Sequence, residues 1–417
     1  MRSKAIHSRG AAKTAVFHFC HFPPCIVVTL HCVYLIVQAM NKALKLFTRM
    51  MIIIFSVLAL LALVVFAYMQ HPKFGAKPTG KRLERMQASP HYKDGVFDNR
   101  SFTPTITEGY SMTKVMFDFL FRKGPNTVPG GIIPSVQTDL NKLQGDWLVW
   151  FGHSSYYLQT DGLRILVDPV FSGNASPVPG TTKSFKGTDR YAAADMPPID
   201  YLLISHDHYD HLDFETILQL KGKVKKVVCG LGVGAHLELW GFAPENIIEL
   251  DWDTDIALPN GGRIYGLTTR HFSGRGFKRN NTLWISYLLQ TPTRKIFIGG
   301  DSGYDRHFRE IGALHGPIDL AILENGQYNE AWKAIHFLPG ENLQAAIELK
   351  AKRLMPVHSG KFSLALHSWD EPLREMVRRN QQVGLPLVTP RIGEPVNLSD
   401  TTQVFTEWWK DVAKAAQ

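Results

Sequence analysis

An α/β fold, an αββα sandwich of two mixed β-sheets packed face to face with helices outside, is what the order of elements in this chain predicts. Three observations lead there. From Asp146 onward, short β-rich runs bounded by turn residues come in two batches with a helical stretch between them. Further helical periodicity closes the series, and strands, helix, strands, helices is an order that buries two stacked sheets. Hydrophobic residues make up 45% and charged residues 20%, which excludes wholesale disorder and leaves a folded body to explain.

With 417 residues, one large domain plus appended segments is the natural organisation. Residues 1–39 read as an upstream extension of the true start, because Met40-Asn41-Lys42-Ala43-Leu44-Lys45 looks like a fresh beginning. Cys25 to Met40 is apolar but follows Pro23-Pro24 and contains His31, a marginal span. Residues 40–50 form a basic flank carrying Lys42, Lys45 and Arg49. Residues 51–69, MIIIFSVLALLALVVFAYM, hold no charge and no proline, and at about 1.5 Å per residue reach roughly 28 Å, a bilayer's hydrocarbon thickness. That run is longer than a signal h-region and lacks a small-residue cleavage site, which predicts an uncleaved single-pass anchor. The basic flank belongs in the cytoplasm, so the domain that follows is expected on the non-cytoplasmic (periplasmic) side of the cell membrane.

Residues 70–144 are polar and scattered with Pro and Gly, as expected of a linker and lead-in made of coil and short elements. The body is expected over 145–395. Its strands are Trp147 to Phe151, Ser155 to Leu158, Leu163 to Val167 and Tyr201 to Ile204, then Lys226 to Cys229, Arg263 to Leu267, Leu283 to Leu289 and Lys295 to Ile298. Helical patterns fall at Phe214 to Leu220, Gly234 to Trp240 and Glu341 to Ala351. Residues 396–417 are expected to form a C-terminal helical segment.

The chemistry concentrates at strand ends. Directly after the apolar run ending at Ile204 stands His206-Asp207-His208-Tyr209-Asp210-His211, the pattern His-x-His-x-Asp-His. Residues i and i+2 leaving a strand point the same way, so His206 and His208 can grip one cation. Asp210 and His211, where the chain turns toward a helix, can grip a second. Imidazole and carboxylate without thiolate suit Zn²⁺ in a site that keeps water. His271, Asp301 and His358 each follow an apolar run as well, and their shared placement favours ligation over the bland reading of each as a capping or core group.

In order along the chain, this series resembles the metallo-β-lactamase superfamily. Within it the chain is similar to the branch containing N-acylphosphatidylethanolamine-hydrolysing phospholipase D, through Trp150-Phe151-Gly152-His153-Ser154, Val167-Asp168-Pro169-Val170-Phe171-Ser172, Gly300-Asp301-Ser302-Gly303-Tyr304 and His358-Ser359-Gly360-Lys361-Phe362. The similarity runs from about Gly145 to Pro372; lactonase-like proteins acting on ascorbate phosphate share some of it. The resemblance implies one metal held by His206, His208 and His271, a second held by Asp210, His211 and His358, and Asp301 bridging them. It implies two Zn²⁺, with another divalent ion such as Mn²⁺ as the alternative. Asp168 matches an aspartate standing behind the ligands, though in Asp-Pro it also reads as a turn former. His336 matches a histidine on the substrate side, and His153 takes no assigned role. Membrane attachment rests on residues 51–69 alone.

Water shared by two cations loses a proton near neutral pH, which supplies a nucleophile without a side-chain base. The expected catalytic residues are Asp210, which orients that nucleophile, Asp301, and His336, which binds phosphate or protonates the leaving group. The reaction implied is phosphodiester hydrolysis of a membrane phospholipid, with the lipid bilayer as a partner and a homo-oligomer left open. Two rivals stand beside it: a hydrolase of a lactone or soluble phosphorylated compound, and a non-enzymatic envelope protein with a structural metal. The net charge of +9 suits an anionic membrane surface or substrate. With no basic block interleaved by aromatics, nucleic acid is not expected. Of four cysteines, Cys20, Cys25 and Cys32 lie near the N-terminus and Cys229 reads as a core thiol, so the body needs no disulfide.

Overall fold

The computed structural model describes residues 24–122 and 124–412. The chain divides into two compact units, Met1–Gln70 and His71–Gln417. The described part of the first is a single helix, α1 (Pro24–Tyr68). Proline at its first position is favourable, and neither proline nor glycine recurs before Pro72, so nothing interrupts it. The expected basic flank and apolar run therefore lie within one helix with residues 24–39, and Lys42, Lys45 and Arg49 sit inside it. It is long and apolar enough to cross a membrane, as an anchor or a signal sequence is. Residues 1–23 of the expected extension lie outside the described residues.

The second unit begins with α2 (Gly80–Ala88), a hairpin of β1 (Tyr92–Lys93) and β2 (Val96–Phe97), and α3 (Met112–Phe121). This stretch, expected as a linker, packs onto the body: Met86, Phe97, Ile133 and Leu140 are buried, and Arg82 and Arg85 of α2 both pair with Glu249.

One sheet contains β3 (Trp147–Trp150), β4 (Tyr156–Thr160), β5 (Leu163–Val167), β6 (Ile199–Ile204), β7 (Val224–Gly230) and β8 (Ile247–Leu250). The other contains β9 (Thr254–Ala257), β10 (Arg263–Leu267), β11 (Ser286–Gln290), β12 (Lys295–Ile298), β13 (Leu320–Glu324) and β14 (Leu354–Val357). A last strand, β15 (Pro395–Asn397), returns to pair with β3, giving the orders β15-β3-β4-β5-β6-β7-β8 and β14-β13-β12-β11-β10-β9. Each sheet is antiparallel at one end and parallel at the other. Pro356 is accommodated because β14 lies at a sheet edge.

Strand periodicity builds the layers. In β6, Tyr201 and Leu203 enter the core between the sheets while Leu202 and Ile204 face the other way. In β12, Ile296 and Ile298 do the same against Phe297. The outer face of the first sheet is covered by α4 (Phe214–Leu220) and α5 (Gly234–Leu239), through Ile217, Leu220 and Leu237. The second is covered by α6 (His307–His315), α7 (Glu341–Glu348) and α8 (Glu371–Val383), through Phe308, Leu343 and Met376. This is the expected αββα sandwich.

The C-terminal segment departs from expectation. Residues 396–412 hold the end of β15 and one 3-10 turn, Trp408–Asp411, rather than a helix. Trp408 and Trp409 are buried in the inter-sheet core, Trp408 against Trp150, so apolar burial decides the path of this tail. Residues 413–417 lie outside the described residues.

Candidate metal centre

The strands of both sheets end on one cluster of imidazoles and carboxylates. His206 and His208 leave β6 two residues apart, with His206 Nε2 2.8 Å from His208 Nδ1. His271, four residues past β10, brings its Nε2 to 3.3 Å from the same nitrogen. Its loop is held from the lead-in, where Asn99 both donates to and accepts from the His271 backbone. A second group gathers His153, Asp210, His211 and His358.

Asp301 joins the two groups. Its Oδ2 lies 3.9 Å from His206 Nε2 and 3.7 Å from His271 Nε2, while its Oδ1 lies 3.3 Å from His211 Nε2 and 3.1 Å from His358 Nδ1. One carboxylate thus offers one oxygen to each side. The approach depends on Gly300, whose φ is +59° and where a Cβ would come within 2.9 Å of the Ser205 Cβ.

Behind these groups stand carboxylates that aim them. Asp168 accepts from the Ser205 N–H at 2.8 Å and the Ser205 hydroxyl at 2.6 Å, and its Oδ2 lies 2.8 Å from His211 Nδ1. That contact turns His211 Nε2 toward the cluster, an arrangement typical of ligating histidines. His336 sits beside the second group, its Nδ1 2.7 Å from the fully buried Glu324. Glu324 is absent from the sequence expectations, although it closes the apolar strand β13 just as His206 follows β6. His153 gains a place too: its Nε2 is 2.9 Å from Asp210 Oδ2 and its ring lies 4.1 Å from His358. Asp207, the remaining charge of the motif, turns elsewhere and accepts from the Gly274 N–H and the Thr282 hydroxyl.

These donors fit metal ions. The buried His211 Nε2 and Asp301 Oδ1 make no hydrogen bond of acceptable geometry, though each is a strong polar atom whose burial without a partner is costly. Ligand atoms aimed at a shared cation have that character. Burial, reinforced by neighbouring imidazoles, pushes His206, His271 and His358 well below the usual imidazole range, leaving them neutral donors. Burial alone would raise Asp210, but His211 and His153 hold it well below the usual carboxylate range. For His211 the order reverses: burial lowers it, and Asp301 and Asp210 more than compensate, so it holds a proton that a cation would displace.

Above the cluster opens a cavity of about 300 Å³, with Asp210, Asp301 and His336 at its floor and Met112, Trp332 and Leu364 among its walls. Sequence alone placed nothing from residues 70–144 there, yet Met112 and Val115 of α3 line it.

A β-lactamase superfamily domain matches residues 163–359. An uncharacterized protein of Mycobacterium tuberculosis (strain ATCC 25618 / H37Rv) is 36% identical over 332 residues, 78% of this chain and 88% of its own length. The N-acyl-phosphatidylethanolamine-hydrolyzing phospholipase D 1 of Caenorhabditis elegans is 27% identical over 285 residues, 63% of this chain and 78% of its own. The outer membrane protein RomA of Klebsiella pneumoniae is 55% identical over 98 residues, 24% of this chain and 74% of its own. Sandwich, strand-end cluster and relatives agree on a class, the metallo-hydrolases of the β-lactamase fold. The chain belongs to the metallo-β-lactamase superfamily.

Asp168→Ala is expected to lower metal affinity about 10- to 100-fold while leaving the fold in place, because His211 loses the group that aims it. Competition against a colorimetric chelator measures this, and unchanged affinity would show that Asp168 serves only the turn.

Proposed function

We propose that this chain is a membrane-anchored hydrolase with two Zn²⁺, cleaving an N-acylphosphatidylethanolamine-type phospholipid on its phospholipase D side. The observation that carries the reading is Asp301, with one oxygen toward each histidine group beneath a cavity with apolar walls. The similarity to a phospholipase D of that specificity supports the substrate class. His206, His208 and His271 would hold one ion, Asp210, His211 and His358 the other, and Asp301 both. Ions held there would supply an acidified water for attack and positive charge against the phosphoryl oxygens.

The chain's own residues do the rest. Asp168 and Glu324 fix the rings of His211 and His336 through Nδ1. Burial pushes the Glu324 carboxyl well above its usual range, so its hydroxyl donates to His336 Nδ1 and leaves the ring proton on Nε2. Nε2 gives that proton to the departing ethanolamine oxygen as the P–O bond breaks, while the Glu324 proton passes to Nδ1. Asp210, steadied by His153, orients the attacking water. Apolar walls around Trp332 and Leu364 exclude bulk water and accept acyl carbons. The products are phosphatidic acid and an N-acylethanolamine.

The test is incubation of the zinc-loaded full chain in mild detergent with N-acylphosphatidylethanolamine, including a short-chain monomeric form, and with phosphatidylethanolamine. Mass spectrometry should find phosphatidic acid, more from the N-acylated lipid. Absence of phosphatidic acid alongside turnover of a lactone or soluble phosphodiester overturns the substrate assignment.

In the same reading α1 is the anchor and the body lies on the non-cytoplasmic side, on the strength of Lys42, Lys45 and Arg49. The name of the Klebsiella relative supports an envelope location. Alkaline phosphatase fused after Gly75 should be active, and an active cytoplasmic reporter at that junction with a silent phosphatase reverses the orientation.

A further inference from the structure

The cavity mouth carries side chains that neither the metal cluster nor the core requires. On α3, Met112, Met116, Phe117, Phe119 and Phe121 are all exposed, Phe117 by 56% and Phe121 by 71%. A ten-residue helix in a folded body ordinarily buries such a set, and single exposed apolar residues rather than a contiguous patch are the norm. Met112 and Val115 of this helix line the cavity, so the exposed surface is continuous with its wall.

A second segment reaches the same mouth. Phe277 is 86% exposed and is followed by Lys278 and Arg279. Among the described residues neither cation lies within ion-pair distance of a carboxylate; Lys278 Nζ donates to the Gly95 carbonyl. The Arg279 guanidinium lies 4.5 Å over the Phe272 ring. Phe272 in turn packs 4.4 Å from His208, and Arg279 lines the cavity. An aromatic tip followed by uncompensated cations has the make-up of a segment that enters a headgroup layer. At α3, by contrast, Lys114 and Arg122, the residue just past the helix, are both paired with Asp118, which leaves the apolar side chains as what the helix offers.

We propose that α3 and the Phe277–Arg279 loop form a docking surface that seats the cavity mouth on an anionic phospholipid leaflet. The side chains of α3 and Phe277 enter among acyl chains, and Arg279 takes a lipid phosphate oxygen at the entrance to the site. The inference rests on the proposed lipid substrate and adds how the lipid is met, through the folded body itself.

The test uses the full chain reconstituted in nanodiscs, with Cys20, Cys25 and Cys32 changed to serine. Single labels are introduced by Met116→Cys, Phe277→Cys and, as a control on the exposed face of α6, Leu314→Cys. Quenching by spin-labelled lipid should be strong at the first two positions and weak at Leu314→Cys in discs containing phosphatidylglycerol. Adding Arg279→Gln should lower the docked fraction reported from Phe277→Cys about five-fold. Quenching at Met116→Cys and Phe277→Cys no greater than at Leu314→Cys overturns the proposal, as does shielding of these labels by a second copy of the chain without lipid contact. An unchanged docked fraction with Arg279→Gln overturns the role of the cation. Because the readout involves no turnover, it is independent of cleavage of the monomeric short-chain lipid, which tests the substrate assignment separately.

Discussion

Asp301→Asn should leave a folded protein whose turnover falls by about a thousandfold, because the loss is one of charge at the point where the two groups meet. The wild-type carboxylate presents Oδ2 toward His206 and His271, and Oδ1 toward His211 and His358. Asparagine keeps that volume but replaces one oxygen with an amide NH₂, which can donate but cannot ligate. Burial pushes the Asp301 carboxyl up to about 6, so a neutral amide there removes a charge that the body accommodates at a cost. The stability change should stay within about 1 kcal/mol, which thermal melting and circular dichroism can follow. The decisive reading is kcat on whichever substrate the wild type hydrolyses. Near-normal turnover would mean that Asp301 bridges nothing.

Asp301 was legible in the sequence for a simple reason. It follows Lys295 to Ile298 and two glycines, as His206 follows Tyr201 to Ile204 and His358 follows Leu354 to Val357. Strands of a layered α/β body end together, so a run of chemistry-bearing residues just past apolar runs converges in space. All seven expected ligand positions, with Asp168 and His336 beside them, come together in the structure. What stayed hidden was tertiary. Glu324 and His153 also close apolar runs, but the partner of Glu324 lies in a loop after the strand, and that of His153 lies 57 residues away. His153 reaches it through a φ of +54°, which the residue type does not announce.

The same division holds for the fold. Runs such as Leu163 to Val167 announced themselves by composition, whereas β9, Thr254 to Ala257, is mostly exposed at a sheet edge and has no apolar face to show. Strand β15 has three residues and exists because β3 offers it a partner. The lead-in looked like coil because its glycines and prolines are turns. Its contributions to the site are single contacts, Asn99 on the His271 backbone and, at the cavity, Thr105, Ile106 and the side chains of α3. Isolated contacts of that kind leave no periodicity to read.

Removing the metal should abolish turnover entirely while the body stays folded, with the melting temperature lowered on the order of 10 °C. The loss of activity follows from the inventory of the cavity floor. Against its burial, Asp210 is held well below the usual carboxylate range by His211 and His153, and His336, pushed below the usual imidazole range by burial, is too weak a base to replace an acidified water. The retained fold follows from the packing, since the core between the sheets and the two outer layers are apolar and continuous without the cluster. Metal binding to the native state adds RT ln(1 + [L]/Kd), about 4 kcal/mol for a site held at a thousand times its Kd. In the proposed dinuclear reading the two ions share Asp301 as a ligand and should empty together. Elemental analysis of gently purified protein should find about two ions per chain, mainly zinc. Dialysis against a chelator should bring activity and melting temperature down together, and added Zn²⁺ should restore both. Full activity at one ion or none per chain would rule out the dinuclear reading, and collapse of the fold on chelation would make the metal structural instead.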